Sequence, residues 1–224
     1  MRSSAPLPAR AWWLVLLLTW PIAAVLQAAP PSKPGQDVRT PDEIAKWMPL
    51  IERLASRPAI YSKFTEKRWF PFRLGPVKLE GEMRFSKATG LSLHYTEPIE
   101  RTVIIDSEGL LLRDGKGHQK VGPSDGRISQ IADAMLAVMQ FNVKHLLQYF
   151  SLRADRAGDD WRFDLVPRES TQRTMLHRIT IFGNGARITH LIFEHSPHER
   201  VEVFISRTST LASFSASDRK EFFR

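Results

Sequence analysis

Residues Phe64–Gly117 read FTEKRWFPFRLGPVKLEGEMRFSKATGLSLHYTEPIERTVIIDSEGLLLRDGKG, and this stretch decides the fold. Short runs rich in Val, Ile, Leu, Phe and Tyr alternate here with turn-forming residues, and no helical period interrupts them. Such spacing suits hairpins, because parallel strands would need much longer crossover connections. The stretch therefore predicts at least five consecutive antiparallel strands.

The strand pattern continues beyond this meander and amounts to about eleven strands. The predicted strands are 60–70, 77–85, 91–96, 102–106, 110–113 and 118–121, followed by 151–156, 161–166, 176–182, 188–193 and 201–205. Asn184-Gly185 is the strongest hairpin signal, because both residue types tolerate the positive φ of a type I′ turn. An antiparallel sheet of this width has to curl, so it has an inside.

Helical segments are predicted before the strands and between the sixth and seventh strand. Thr40-Pro41-Asp42-Glu43 is a helix start, with a Thr N-cap, Pro at the first helical position and Glu three residues after the cap. Apolar residues at helical spacing then continue until Arg57-Pro58: Ile44, Trp47, Met48, Ile51, Leu54 and Ala55. The same period marks 128–139 and 143–150, so two further helices interrupt the sheet.

Several predicted strands are apolar on both faces. Val103-Ile104-Ile105 and Leu110-Leu111-Leu112 are examples. A sheet with one solvated face would alternate apolar with polar residues. We therefore expect the helices to cover one face, and interlocked side chains or a ligand to cover the other.

The N-terminal 29 residues have the composition of a secretory signal peptide. They carry Arg2 and Arg10, an apolar run over 11–25, and small residues before Pro30. The alternative is a membrane anchor, but an apolar core of about 15 residues is shorter than the roughly 20 that a spanning helix needs. Residues 30–39, rich in proline and polar groups, are predicted to be a flexible leader, and residues 40–224 one domain.

Composition restricts the classes of function. The chain has no cysteine, which excludes a lipobox, disulfides, a thiolate metal site and a cysteine nucleophile. The formal charge is +8, of which the predicted signal peptide contributes two arginines and no acid, so about +6 remains without it. A basic chain suits nucleic acid, an anionic membrane surface or an acidic partner, and export argues against nucleic acid.

Three motifs in order resemble one known family. FTEKR at 64–68, VKLEGEMRF at 77–85 and GLSLHYTEP at 90–98 follow one amphipathic helix and precede a glycine-bounded hairpin. This order is similar to the LolA-like branch of the periplasmic lipoprotein carriers, and the resemblance covers residues 40–205. It implies an incomplete, unclosed antiparallel β-barrel with a helical lid over a hydrophobic cavity that shields acyl chains.

The resemblance also implies a cellular setting. It predicts a monomeric carrier in the periplasm of a Gram-negative bacterium, with lipid or lipid-modified protein as cargo and no cofactor. An inner-membrane donor protein and an outer-membrane acceptor protein are the expected partners, with transient membrane contact and no nucleic acid.

The cavity is expected between the helical lid and the second to fifth strands. The candidate wall residues are Leu79, Met83, Leu91, Leu93, Ile104, Leu111, Met135 and Leu147. Their inward direction depends on the strand register, because a slip of one residue reverses every side chain. Trp69, Phe70 and Phe72 lie beside a turn between two arginines, and they are candidates for a cavity entrance or a membrane contact, with packing over the barrel end as the alternative.

One position departs from the family pattern. Typical carriers place an arginine eleven residues before the proline that closes the third strand, where it bonds lid carbonyls, and a phenylalanine seven residues before it. Counting back from Pro98, these positions hold Lys87 and Leu91. Lysine at this lid latch position lacks the planar fork of donors, which favours a LolA-like paralogue over the general lipoprotein carrier.

Two other classes of function remain as alternatives. Glu194-His195-Ser196-Pro197-His198-Glu199 invites a metal or acid-base interpretation, but the segment is predicted to be a hairpin turn and offers no third ligand. No Gly-x-Ser-x-Gly elbow occurs, so no residue receives a catalytic assignment and we expect no enzyme. A structural or interaction module, with a barrel filled by its own side chains, is the second alternative.

Overall fold

One open sheet of antiparallel strands dominates the computed structural model, which describes residues 35–121, 136–168, 173 and 176–224. The described strands, in the order β1-β8-β9-β10-β11-β12-β2-β3-β4-β5-β6-β7 across the sheet, have these bounds: β1 Gln36–Val38, β2 Ala59–Trp69, β3 Val77–Ser86, β4 Gly90–Glu97, β5 Arg101–Asp106, β6 Gly109–Asp114, β7 Gln119–Val121, β8 Phe150–Ala157, β9 Asp160–Pro167, β10 Arg178–Asn184, β11 Arg187–Ser196 and β12 Glu199–Leu211. Because β1 and β7 lie at opposite edges, the barrel is not closed.

The sheet has two halves that meet at its centre. Each of the eleven predicted strands is present, and β12 pairs with β2, Val203 opposite Glu66, to join the last strands to the first. The predicted mainly β fold with an incomplete antiparallel barrel is thereby confirmed. The β10–β11 hairpin is present too, but its turn is Gly185-Ala186, and of these two only Gly185 has a positive φ, at 55°.

A twelfth strand corrects the prediction of a flexible leader. Residues 36–38 form β1, in which Val38 lies opposite Leu152 of β8 and is 6% exposed. Three residues with a single apolar side chain are too short to show a strand period, and only the partner strand defines this element. Residues 1–34, and with them the predicted signal peptide, lie outside the described part.

The first helix, α1 (Pro41–Ala55), begins where the sequence predicts. The Thr40 hydroxyl accepts a hydrogen bond from the Glu43 backbone at 3.3 Å, and the Glu43 carboxylate accepts one from the Thr40 backbone at 2.9 Å. This reciprocal cap satisfies two backbone donors that a helix start otherwise leaves unpaired. Leu50, Ile51 and Leu54 are buried against the sheet, while helical residues 136–140 and α2 (Val143–Tyr149) lie between β7 and β8 in the chain.

The face of the sheet that α1 covers is called the inner face here. Its side chains belong to one core cluster with those of α1: examples are Phe64, Met83, Leu93, Leu191 and Val203. Direct cross-strand pairs share a face, so this face can be followed from strand to strand, for example through Phe85, Leu91 and Ile105. The opposite face is called the outer face.

The C-terminal strap, residues 212–224 with helix α3 (Ala216–Phe222), packs on the outer face. Phe222 and Phe223 are buried in a second cluster with Ala59, and the Arg113 guanidinium donates to the Phe223 carbonyl at 3.2 Å. The final residue, Arg224, bonds the Asp106 carboxylate at 2.7 Å. This end of the chain is neither a strand nor an extended tail, because a short capped helix carries both aromatic side chains onto the sheet.

Candidate functional site

Four predicted wall residues lie on the inner face and are closely packed. Leu79, Met83, Leu91 and Leu93 are between 0% and 5% exposed and all belong to the main core cluster. Met83 lies directly opposite Leu93, and Phe85 opposite Leu91. These four side chains therefore lie on the inner face, and this part of the face is filled by side chains.

Ile104 and Leu111 point to the other face, which corrects the prediction for these two residues. Ile104 pairs with Ser92 and Leu111, whereas the inner-face residues of β5 are Val103 and Ile105. In an apolar run without alternation, sequence alone does not show which neighbour faces inward, and a shift of one residue reverses the side. Both residues are nevertheless buried, at 0% and 6% exposure. They lie outside the main core cluster of the inner face.

A small apolar cavity, here called the lid slot, lies between the helices and the second half of the sheet. Its volume is about 20 Å³. It is lined by nine apolar residues from α1, the segment 141–147 and strands β8 to β10: Ile51, Phe141, Val143, Leu146, Leu147, Leu152, Phe163, Leu165 and Ile181. Leu147 is the predicted wall residue found in this lining, and Met135 lies outside the described residues.

The lining of the lid slot was largely missed by sequence reasoning. Phe163 and Leu165 alternate with the polar residues Arg162 and Asp164 along β9, a period that was available in the sequence. The predicted wall residues of the first half lie on β3 through β6 instead. β9 and β10 lie under α1 because strands that are distant in the sequence pair with one another, and no local sequence pattern predicts that pairing.

The three aromatic residues of the predicted entrance are not equivalent. Phe72 is 86% exposed and stacks on Phe70 with ring centroids 5.3 Å apart, and Leu74 beside it is fully exposed. Trp69 is half-buried under the Arg200 guanidinium, which lies 4.5 Å from its ring centre. The β2–β3 loop thus presents Phe72 and Leu74 outward, while Trp69 packs at the end of the sheet.

A second cavity, here called the rim cavity, lies where this loop meets the β11–β12 hairpin. Its volume is about 80 Å³. Apolar and charged residues line it together: Arg68, Trp69, Phe70, Leu176, Phe193, His195, Glu199, Arg200 and Val201. Phe193 is a member of the main core cluster and Val201 packs against it, so the floor of this cavity adjoins the inner core.

A polar group is buried on the inner face near the rim cavity. We call Glu66, Arg68, Tyr95 and Arg101 the buried polar cluster. Glu66 is 3% exposed, accepts a hydrogen bond from the Tyr95 hydroxyl at 2.7 Å and is ion-paired with Arg68. Burial, followed by the nearby Glu66 carboxylate, raises the pKa of Tyr95. Sequence reasoning assigned none of these residues a role, because polar residues in a predicted strand read as solvated.

Lys87 lies in the β3–β4 turn close to the end of α1. Its backbone N–H donates to the Pro58 carbonyl at 3.1 Å, while the residue as a whole is exposed. The contact described for Lys87 is therefore made by its backbone, and a lid latch formed by its ammonium group stays a prediction.

The segment Glu194–Glu199 contains the end of β11, the two-residue turn Pro197-His198 and the first residue of β12. His195 and Glu199 approach to 3.6 Å across this turn. Over the described ranges, no group of three His, Asp or Glu side chains converges as a metal site. Within those same ranges, none of the helices combines the length and the apolar character needed to cross a membrane.

One family model and several solved structures are similar to this chain. A family described as outer membrane lipoprotein carrier protein LolA-like matches residues 42–203. Among solved structures, a LolA superfamily protein from Nitrosomonas europaea is 9% identical over 76% of this chain and 96% of that one, with a TM-score of 0.43. A DUF1329 family protein from Desulfovibrio piger is 8% identical over 78% and 96%, with a TM-score of 0.43. The MucA/MucB complex from Pseudomonas aeruginosa gives 12% identity over 78% and 59%, with a TM-score of 0.42.

No curated protein matches the chain. The family match by itself spans well over half of the 224 residues, from the start of α1 into β12. The chain therefore belongs to the LolA-like family of outer membrane lipoprotein carrier proteins.

Proposed function

We propose that this protein is a periplasmic carrier that holds the acyl chains of lipoproteins, or of another lipid, between its helices and the inner face of the sheet. The observation that carries the proposal is the lid slot, whose entire lining is apolar and is contributed by a helix, a helical connection and three strands. A site without polar groups selects for hydrocarbon, because it offers a polar ligand no hydrogen-bond partner.

Loading requires the helices to move away from the sheet. Known ligand pockets have volumes of about 300–1,000 Å³, far above the volume of the closed slot. The contacts between α1 and the sheet are suited to such movement, since Trp47 meets Phe163 edge-on at 5.1 Å and Ile51 is buried among apolar neighbours. Apolar contacts are non-directional, so an acyl chain can replace them.

The free energy of burying an acyl chain is large enough to retain the cargo during transit. At about 0.8 kcal/mol per buried CH₂, a chain of about 16 carbons gains on the order of 12 kcal/mol. Separating the helices from the sheet costs apolar packing, and this cost reduces the net gain. A carrier without an energy source then has to release cargo by direct contact, so we propose an inner-membrane donor protein and an outer-membrane acceptor protein as partners of a monomer.

Replacing Leu147 by glutamate tests the slot. We expect at least a tenfold loss of affinity for a fluorescent fatty acid, since the variant places a carboxylate where the chain would lie. The fold should survive, because Leu147 is only partly buried. Probe fluorescence is titrated with the mature protein, and displacement by unlabelled fatty acid shows that binding is saturable.

Val121→Glu is the matched control for this experiment. Val121 is 67% exposed on the edge strand β7, away from the slot, and its substitution should leave probe affinity unchanged. Equal affinity of the Leu147 and Val121 variants would remove the lid slot from the proposal.

A structural or interaction module is the second candidate function. The close packing of Leu79, Met83 and Leu91 favours it, because an interior filled by the protein itself needs no guest. This candidate predicts no saturable probe binding by the wild type and no lipid in an organic extract of protein purified from the periplasm. Stoichiometric lipid in that extract, identified by mass spectrometry, would exclude it.

The exposed β2–β3 loop is proposed to touch a membrane during transfer. Phe72 and Leu74 are almost fully exposed, and the exposed Arg73 between them adds a positive charge. Isolated exposed apolar residues are ordinary, but two large ones on one loop beside an exposed arginine suit an anionic bilayer surface.

The double variant Phe72→Ser/Leu74→Ser tests this contact. Each side chain contributes about 1.5–3 kcal/mol when it leaves water, so co-sedimentation with phosphatidylglycerol-containing vesicles should fall at least tenfold. Val121→Ser removes an exposed aliphatic side chain elsewhere and should sediment like the wild type. Unchanged sedimentation of the double variant would show that this loop is not the contact.

A further inference from the structure

Arg101 is a half-buried cation on the inner face without an anionic partner among the described residues. It begins β5 and lies opposite Tyr95 of β4, with its guanidinium carbon 4.9 Å from the Tyr95 ring centre. Its Nε is buried and has no hydrogen-bond partner in the part of the chain that is described. Four other buried or half-buried arginines pair with a carboxylate: Arg84 with Glu82, Arg162 with Asp164, Arg178 with Glu194 and Arg200 with Glu202.

The acid directly opposite Arg101 on β6 is already engaged. Asp114 is the cross-strand partner of Arg101. Its carboxylate accepts backbone hydrogen bonds from Lys116 and His118, each at 2.9 Å, and contacts the His118 ring at 2.9 Å. The Asp114 carboxylate therefore stabilises the turn after β6, and no hydrogen bond from Arg101 to it is found among the described residues.

A second guanidinium lies near the same ring. Arg68 is 6.0 Å from the Tyr95 ring centre and lines the rim cavity. Glu66 pairs with Arg68, so the two arginines and one carboxylate of the buried polar cluster carry a formal charge of +1. That excess charge is on the inner face, next to the core residue Phe64 on β2.

A buried guanidinium donor without a partner costs free energy unless an anion completes it. A guanidinium that lies over an aromatic ring can still use its parallel N–H donors, which match the two oxygens of a carboxylate or phosphate. We propose that Arg101, with Arg68, binds the anionic head group of the lipid cargo, a phosphate or carboxylate, while the acyl chain lies on the inner face. This inference rests on the proposed carrier function and assigns its cargo a negative charge.

Two lipids with the same acyl chain test the head-group site. The mature protein is titrated with oleoyl lysophosphatidic acid and with mono-oleoylglycerol, which lacks the phosphate. We expect the phosphate lipid to bind about ten- to a hundredfold more tightly, the factor that one charge-assisted hydrogen bond provides. Arg101→Gln should abolish this difference and leave the affinity for mono-oleoylglycerol unchanged, and no carboxylate loses its partner in that variant.

Arg178→Gln is the matched control, because Arg178 lies at the same end of the sheet but pairs with Glu194, 16% exposed, on the outer face. It should retain the full preference for the phosphate lipid. The wild-type preference for the phosphate lipid should also persist in millimolar inorganic phosphate. If inorganic phosphate abolished it at low concentration, the site would bind free phosphate, and the proposed lipid head-group site would be wrong.

The possible failures are distinguishable. Equal affinities of the two lipids for the wild type would overturn the head-group site and leave the carrier intact. Binding of neither lipid would overturn the carrier and this inference together.

Discussion

Replacing Phe223 by alanine is expected to lower the free energy of unfolding by about 3–5 kcal/mol, the usual cost of truncating a buried phenylalanine. Phe223 is 1% exposed, and its ring centre lies 5.4 Å from that of Phe214. It covers the outer face together with Phe222, whose ring lies 3.6 Å from the Arg84 guanidinium carbon. The shift of the urea unfolding midpoint at constant slope measures this loss.

Phe72→Ala is the control, because it removes the same ring from a site that is 86% exposed. Its free energy of unfolding should change by no more than about 0.5 kcal/mol. Equal stabilities of the two variants would mean that the C-terminal strap is not docked on the sheet in solution. If the strap is docked, the Phe223 variant should also aggregate more readily, since its cover over an apolar sheet face is loosened.

Replacing Glu66 by alanine is the second change with a large expected effect, about 3–5 kcal/mol of destabilisation. Glu66 is the carboxylate partner of both Arg68 and Tyr95 on the inner face. Its removal leaves a mostly buried guanidinium and a buried hydroxyl without their acceptor, and desolvated polar groups in that state are costly. Equilibrium denaturation again provides the measurement.

Two further variants separate the loss of the charge partner from the loss of packing. Glu80→Ala removes an exposed ion pair with Lys78, and its stability should change by about 0–1 kcal/mol. The double variant Glu66→Leu/Arg68→Met replaces the buried pair by apolar side chains and should be considerably more stable than Glu66→Ala alone. A double variant as unstable as the single one would refute the charge argument.

Alkaline pH should weaken the same cluster. Burial and the neighbouring carboxylate raise the pKa of Tyr95 above its ordinary value of about 10, so the folded protein retains a proton that the unfolded chain releases. Stability supplied by the protonated hydroxyl is thus complete below about pH 10 and is lost as the pH rises beyond it. Denaturation at pH 9 and pH 11 should show a decline in wild type that Tyr95→Phe largely lacks.

Local patterns were sufficient for the elements themselves. The predicted start of α1 at Thr40 is confirmed by its reciprocal cap, and the predicted strand 77–85 differs from β3 by one residue. The missed helix α3 had a readable signal as well. Ser215 and Asp218 form a capping box there, with the Ser215 hydroxyl accepting from the Asp218 backbone at 3.0 Å.

The candidate site was less accessible to this kind of reasoning. Leu79 and Leu93 were assigned to the inner face as found, but Ile104 was not, since the run Val103-Ile104-Ile105 is apolar on both sides. The residues that line the lid slot come from positions as distant as Ile51 and Ile181. Their proximity follows from the β12–β2 pairing and from the order of β8 to β10 in the sheet.

Local sequence patterns were enough to predict the secondary structure of this chain, because the hydrophobic period, turn residues and helix caps act over a few neighbouring residues. Apolar residues on both faces of several predicted strands also indicated that both faces of the sheet must be shielded from water. Only the tertiary structure decided what supplies that cover: α1 and its neighbours on the inner face, and the strap with Phe223 on the outer one. The tertiary structure also placed Arg101 over the Tyr95 ring without a carboxylate partner among the described residues, since charge pairing depends on which strands become neighbours.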